Sequence, residues 1–394
     1  MLSSIFLFGL DPDAGRVGFG DRVAWIWRSH ALANWVIVAI IAIAALLIWG
    51  ASRREYWRSA ARQIVGRRIA MVSLAFLSAY LLIGLLDSIG WRDALHDVNG
   101  KLVRNETGQV VYKPQSLSVL ARLCTPLRER TEKTFSAPFA SHLYAKTTVR
   151  SPDGTVTREY PPLEYPRSHI LGTDKVGEDV LYLSLKGVRT ALIIGGFTTL
   201  IAIPLAIFFG VIAGYFGGWV DDVVQYIYST LASIPSILLI VAFMLLFGRG
   251  LFNLCIILGI SSWTGLCRLL RGETLKLREL EYIQAAEAFG VNRAKIIIKH
   301  IVPNVMHIVL IVAILRFSGL VLTEAVLSYL QIGVDPTTGS WGNMINNARL
   351  ELARDPVVWW NLAAAFLFMF GLVLPANLFG DAVRDALDPR LRTE

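Results

Sequence analysis

Long apolar runs alternate with shorter polar segments along most of the chain. Seven of these runs reach roughly the 20 residues that a helix needs to cross a lipid bilayer. Two lie near the start of the chain, and five lie close together in its second half. This pattern predicts an all-α polytopic membrane protein with about seven transmembrane helices. The predicted spans are about 31–50, 69–91, 189–216, 222–247, 251–268, 305–330 and 357–380.

A polar stretch separates the two groups of spans. Within it, Asp153-Gly154 is flanked by residues typical of short strands, which favours a tight hairpin turn. We therefore divide the chain into three regions. They are an N-terminal region with two spans, 1–91; an extracytoplasmic insert, 92–187; and a core with five spans, 188–394.

Composition narrows the class of protein. Hydrophobic residues make up 54% of the chain and charged residues 17%, against about 25% charged residues in soluble domains. This excludes an ordinary soluble enzyme and a disordered chain. The net charge of +8 does not indicate nucleic-acid binding, because no basic face interleaved with aromatic residues is present. The three cysteines lack the spacing of a zinc centre, and we expect no metal site.

Basic residues in the short loops predict the orientation in the membrane. Segment 51–68 carries six arginines and one glutamate, and segment 268–300 carries seven basic residues against four glutamates. We therefore expect both segments in the cytoplasm. Counting spans from these loops places the insert outside, the C-terminus in the cytoplasm and the N-terminus outside.

Segment 278–304 is the longest loop of the core, yet its residues favour helix. Gly290 stands where a first helix would end in a left-handed residue. Asn292 is suited to cap a second helix, 293–301, and Pro303 suits the first turn of the following span. The segment is therefore predicted to form two short helices around a glycine turn on the cytoplasmic face.

Two interpretations of this helix pair are open. The small side chains of Ala285 and Ala286 would let a soluble partner approach closely, and a rigid pair would then pass force into the spans. An ordinary interfacial amphipathic helix pair accounts for the same pattern without any partner.

Glycine and proline positions predict irregularities in the third and fourth spans. Gly214, Gly217 and Gly218 favour a sharp reversal between these spans. Pro204 and Pro235 fall inside them, where each removes a backbone hydrogen bond and can kink a helix.

Arg316 and Glu324 fall within the sixth predicted span. Charges at that depth are costly and usually face a cavity or each other. Their eight-residue separation places them about 80° apart around a helix, which lets both line one cavity without pairing. We take them as candidates for a translocation path. The alternative is two side chains that extend toward opposite membrane surfaces.

The segment around Gly290 resembles the EAA loop in membrane subunits of binding-protein-dependent ABC importers. That loop has Glu-Ala-Ala, three residues, Gly, and then about ten residues to Leu-Pro; here Gln284 replaces the Glu and Val302 the Leu. The resemblance implies that this loop couples the chain to an ATPase. The residues implied are Gln284, Ala285, Ala286, Glu287, Gly290 and Pro303.

Four further segments are similar to one branch of these importers. They resemble the C-type permease subunit of the dipeptide/oligopeptide/nickel family, whose last five spans form the type I importer core. This family usually has one span before its external segment, whereas this chain has two and a longer insert. The segments are HILGTDKVGEDVL (169–181), GVIAGYFGGWVDD (210–222), 330–342 and FGDAVRDALDPRL (379–391).

The resemblance implies a permease subunit in a bacterial inner membrane that forms a path for peptides or peptide-like solutes. Its implied partners are a second permease subunit, two ATP-binding subunits and a periplasmic substrate-binding protein. The chain has no Walker motif, so we expect no catalytic or cofactor site in it and ATP hydrolysis by the partner subunits. An ion-gradient-driven secondary transporter is the alternative, and an intramembrane hydrolase is a third possibility that lacks any catalytic motif.

Overall fold

The computed structural model describes residues 55–95, 110–150 and 156–387, together with scattered positions between 34 and 108. The predicted first span, 31–50, lies almost entirely outside the described residues. The chain divides into two compact units, Met1–Arg58 with Leu82–Glu129 and Ser59–Leu81 with Arg130–Glu394.

The described residues form mostly helices, with two short sheets of two strands each. A π-helical turn, Ile297–Ile301, joins helix α10 to helix α11. In chain order the elements are α1 (Glu55–Gly66), α2 (Arg68–Ser88), β1 (Gly90–Ala94), β2 (Tyr112–Ser118), α3 (Val119–Leu123), α4 (Thr125–Glu129), β3 (Thr147–Arg150), β4 (Val156–Glu159), α5 (Val180–Phe216), α6 (Gly218–Ser233), α7 (Ser236–Phe247), α8 (Leu251–Arg278), α9 (Glu281–Ala288), α10 (Arg293–Ile296), α11 (Val302–Tyr329), α12 (Trp341–Glu351) and α13 (Trp360–Leu387).

The predicted membrane helices are present in the described part of the chain. Five helices there are long and apolar enough to cross a membrane: α2, α5, α8, α13 and the continuous run from α10 to α11. The bent pair of α6 and α7 makes a sixth candidate. The polytopic all-α fold class is thus confirmed, with two small sheets between α2 and α5.

The fourth predicted span, 222–247, is not one straight helix. Helices α6 and α7 meet there at 84°. Pro235 begins the second helix, and Ile234 before it is extended, with φ −85° and ψ 126°. A proline disfavours helical geometry at the preceding residue, which accounts for the break. Pro204, by contrast, lies inside α5 without breaking it.

Helices α5 and α8 pack closely along their length. A Cβ atom added at Gly210 would lie 2.7 Å from the carbonyl oxygen of Cys267, and one added at Gly214 would lie 2.6 Å from Cβ of Thr274. The prediction that Gly214 takes part in the reversal is therefore wrong, because it lies within α5 and lets α8 approach. The reversal itself uses the two glycines with positive φ, Gly217 (65°) and Gly218 (52°).

The C-terminal part of the insert is fastened to the first core helix. Strands β3 and β4 pair antiparallel and flank the predicted hairpin turn, whose residues 151–155 lie outside the described part. Asp179 caps α5 by accepting a hydrogen bond from the Tyr182 amide at 3.0 Å. Its other oxygen lies 2.9 Å from Nδ1 of the buried His169.

Candidate functional site

Helix α9 ends in a glycine turn of defined type. Gly290 has φ 72°, its amide donates to the carbonyl of Glu287, and the next amide, of Val291, donates to the carbonyl of Ala286. These two bonds make up a Schellman motif, which satisfies carbonyls that the helix end leaves unpaired. The predicted left-handed residue at Gly290 is confirmed.

The second predicted helix, 293–301, begins as expected but does not end. Asn292 caps it by accepting from the amide of Ala294 at 2.9 Å. The helix then runs through the π-helical turn into α11 as one continuous rod. The Val302 amide donates back to the carbonyl of Ile297 in this turn. The wider turn directly precedes Pro303, which has no amide hydrogen to donate, and accommodates it without a break.

Apolar side chains hold this coupling segment, 278–304, against the core. Ile283, Ile296 and Ile301 are all buried and belong to one apolar cluster with residues of α5 and α8. The transfer of such side chains out of water contributes roughly 1.5–3 kcal/mol each. The segment is therefore a packed part of the core rather than a loose loop.

A polar contact adds a second link between α9 and the core. The hydroxyl of Tyr215, in the last turn of α5, donates to Oε1 of Glu287 at 2.5 Å. Tyr215 is buried. The predicted coupling residue Glu287 thus contacts the core of its own chain, and Tyr215 is a site residue that the sequence analysis missed.

The remaining predicted coupling residues divide between two faces. Ala285 and Gln284 are exposed, and the side-chain amide of Gln284 donates to the carbonyl of Glu279 at 3.3 Å. Ala286 is half-buried and packs against the apolar cluster of its own chain. Of the two alanines, Ala285 thus lies on the exposed face and Ala286 on the face toward the core, and the contact of either with a partner stays a prediction. The exposed face continues to Phe289, which is 87% exposed.

An ion pair near this segment was also missed by the sequence analysis. The guanidinium of Arg271 in α8 donates to both carboxylate oxygens of Asp221 in α6, with Nη2 2.6 Å from Oδ2. Bidentate pairs of this kind are geometrically specific. The residues are 50 positions apart, so no local pattern in the sequence identifies them as partners.

The two candidate path residues lie in different surroundings. Glu324 is buried, and its Oε1 accepts from the hydroxyls of Ser328 at 2.7 Å and Ser340 at 2.6 Å. Arg316 is half-buried, and its Nη1 donates to the carbonyl oxygen of Ser262 in α8. The structure does not bring them together, in agreement with the expectation that they do not pair. Their role in a path stays a prediction.

Comparisons with known proteins cover this part of the chain. The family of binding-protein-dependent transport system inner membrane components matches residues 206–393. The oligopeptide transport system permease protein OppC of Haemophilus influenzae is 35% identical over 224 residues, which cover 57% of this chain and 71% of that protein. The OppC protein of Bacillus subtilis is 32% identical over 258 residues, covering 66% of this chain and 81% of that protein.

A third relative carries a different substrate name. The glutathione transport system permease protein GsiD of Pectobacterium atrosepticum is 36% identical over 228 residues, covering 57% of this chain and 74% of that protein. The family match includes the coupling segment, α11 and α13. The chain therefore belongs to the inner membrane components of binding-protein-dependent transport systems, in the branch of the dipeptide and oligopeptide ABC importer permeases.

Proposed function

We propose that this chain and a second permease subunit together form a translocation path for peptides or peptide-like solutes. Two separate ATP-binding subunits dock on the cytoplasmic face, and an extracytoplasmic binding protein delivers the solute. The names of the relatives support the substrate class, because oligopeptides, dipeptides and glutathione are all peptides.

The observation that carries this proposal is the two-sided packing of α9. Its inner face is attached to the core through Ile283 and the Tyr215–Glu287 hydrogen bond. Its outer face presents Ala285 and the exposed ring of Phe289. A partner that pushes on the outer face therefore moves α5 and α8 directly, because the inner contacts are close-packed. This arrangement fits a coupling role for Gln284, Ala285, Glu287 and Gly290, with Ala286 and Pro303 supporting the segment from within the chain.

The proposed orientation has the C-terminus and the coupling segment in the cytoplasm, with the insert 92–187 and the N-terminus outside. The basic residues of 51–68 and 268–300 support it. An exposed ion pair between Arg67 and Asp385, at 2.6 Å, adds support because it places the α1–α2 connection beside the end of α13. Both segments then lie on one side of the membrane, the side to which the positive loops are assigned.

ATP is proposed to bind and react only in the partner subunits, so this chain needs no cofactor of its own. An ion-gradient-driven transporter would require an intramembrane acid that exchanges ions. Glu324 is poorly suited to that role, because its Oε1 already accepts hydrogen bonds from two serine hydroxyls inside the protein.

The test is co-purification of the tagged chain in mild detergent, with ATP-dependent uptake of tri-alanine measured in parallel. Ala285→Glu places a charge on the outer face of α9 and is expected to abolish recovery of the ATP-binding subunits and uptake. Ala61→Glu is the matched control, because Ala61 is also an exposed helical alanine but lies in α1. Normal ATPase recovery and uptake in Ala285→Glu would overturn the docking assignment.

A further inference from the structure

Arg316 lies close to the middle of α11, fourteen residues after Val302 and thirteen before Tyr329. At 1.5 Å per residue this is roughly 20 Å from either end of the helix. A positive charge at that depth is costly unless a partner or water compensates it. The surroundings of the guanidinium therefore decide what the residue does.

The chain supplies this guanidinium with one neutral acceptor. Nη1 donates to the carbonyl oxygen of Ser262, and within the described residues no carboxylate forms an ion pair with Arg316. Arginine has five N–H donors in a planar fork. One carbonyl satisfies one of them, so within the described residues the charge and most donors are left for another group.

The nearby surface of α8 is open and polar. A Cβ atom added at Gly265 would lie 2.6 Å from Nη2 of Arg316, so the absence of a side chain there leaves room for the guanidinium. Gly265 is exposed, and Ser261, Ser262 and Thr264 beside it are half-exposed. Small and hydroxyl residues in an otherwise apolar span are typical of a face that meets another protein segment rather than lipid, although the Ser261 hydroxyl also donates to the carbonyl of Leu258 in its own helix.

Glu324 does not compete for Arg316. Its carboxylate is buried in a closed cluster with Ser328 and Ser340, at the end of α11 that leads to α12. The Ser340 hydroxyl also accepts from the Gly342 amide at 3.0 Å and so begins α12. The two intramembrane charges thus have separate roles: Glu324 fixes a helix connection, and Arg316 has its charge available.

We propose that Arg316 is an anion-binding residue of the translocation path and receives a carboxylate of the passing solute. The inference rests on the proposed function, since a free peptide carries a carboxylate at its C-terminus. The planar guanidinium matches that group in a bidentate, charge-assisted pair. A carboxylate of the sister permease would satisfy the same charge, and the experiments below distinguish it from the solute.

The first experiment tests whether the site is wet and positive, and it does not depend on any substrate. Ser261→Cys is made with Cys124→Ser, because Cys255 and Cys267 are buried. The assembled complex is treated with an anionic and a cationic methanethiosulfonate. The anionic reagent is expected to react faster by about tenfold, and Arg316→Gln is expected to remove the preference. No reaction, or a preference that survives Arg316→Gln, would overturn the proposal, as would a complex that dissociates in Arg316→Gln.

The second experiment tests the ligand with tri-alanine and its C-terminal amide as probes. Arg316→Gln is expected to lower uptake of the free acid at least about tenfold relative to the amide, as the loss of a charged hydrogen bond predicts. Arg316→Lys should recover part of the difference, and Thr323→Val on the same helix should change neither uptake. An unchanged ratio would refute carboxylate binding. A wild-type complex that imports neither peptide would contradict the proposed function instead, while the labelling result would still decide the nature of the site.

Discussion

The hydroxyl of Tyr215 donates to the carboxylate of Glu287 across a 2.5 Å contact, although the two residues are 72 positions apart. This bond joins the last turn of α5 to the coupling helix α9. Hydrogen bonds to charged groups contribute about 1.5–3 kcal/mol, and because Glu287 is exposed we expect this bond to lie at the lower end of that range. The contact thus adds a specific link between α9 and the first core helix to the apolar packing of Ile283.

Removing this hydroxyl is expected to weaken coupling without removing the docking face. In Tyr215→Phe the ring still fills its buried site, so the ATP-binding subunits should co-purify normally. Uptake per ATP hydrolysed should fall, because α9 and α5 then move less closely together. The measurement is the ratio of tri-alanine uptake to ATP hydrolysis in proteoliposomes. Tyr226→Phe, at a tyrosine that is 74% exposed in α6, is the control. An unchanged ratio in Tyr215→Phe would show that this bond does not transmit motion.

The turn after α9 should be most stable with glycine at position 290. Gly290 has φ 72°, and a side chain in that conformation costs about 1–2 kcal/mol. No atom lies within 4 Å of an added Cβ, so the cost of Gly290→Ala comes from the backbone alone. We expect lower thermal stability and reduced uptake. Gly272→Ala is the matched control, because Gly272 lies in α8 with equally open space and should gain helix propensity. Equal stability in the two variants would contradict the assigned turn.

The contact between α5 and α8 should be sensitive to a single methyl group. An alanine Cβ at Gly214 would approach the carbonyl oxygen of Arg271 to 2.7 Å, so Gly214→Ala must push the helices apart. Overpacking of this kind costs about 1–3 kcal/mol. Gly196→Ala in the same helix meets no atom within 4 Å and should be neutral or stabilising. Thermal unfolding of the purified complex measures both, and a neutral Gly214→Ala would refute the close approach.

Stability should depend on pH through a buried acid at the end of α12. The Asn361 amide donates to Oε2 of Glu351 at 2.6 Å, and Glu351 is 3% exposed. Burial raises the pKa of the Glu351 carboxyl, and the negative charge of Asp174 raises it further. The hydrogen bond from Asn361 and the charges of Lys175 and Arg354 act in the opposite direction and lower this pKa.

Because folding raises this pKa, the folded state holds the proton more tightly than the unfolded chain. The stabilising contribution is complete below the ordinary pKa near 4.5 and is lost as pH rises through the raised value. Glu351→Gln keeps a neutral acceptor for Asn361, so it should be more stable than the wild type at neutral pH and should approach it at low pH. Glu279→Gln, at an exposed glutamate, is the control. Parallel pH profiles for wild type and Glu351→Gln, from thermal unfolding, would contradict this account.

Much of the local structure could be predicted from the sequence. The glycine turn at Gly290 and the cap at Asn292 both involve groups within a few residues of one another. Such signals depend on backbone geometry and short side chains rather than on distant packing. The Pro235 break was anticipated only as a kink, because the 84° angle depends on how α6 and α7 pack.

The orientation of each helix about its own axis could not be predicted. Helices α5 and α11 have apolar residues on nearly every side. Their sequences therefore show no apolar stripe that would identify the face packed against the core. The close approach of α5 to α8 at Gly214 therefore depends on how the helices are rotated in the packed structure, which the sequence of α5 does not indicate.

The sequence by itself predicted the long apolar helices that the described residues form, where the coupling helices begin and turn, and to which family the chain is similar. Each of these follows from hydropathy, short-range capping or a run of matching residues. The tertiary structure alone decided that Tyr215 binds Glu287, that Arg271 pairs with Asp221, and that Glu324 is buried while Arg316 is half-buried. These contacts join residues far apart in the chain. Such side chains come within hydrogen-bonding distance only when the helices pack together and each is rotated so that the right face meets its neighbour.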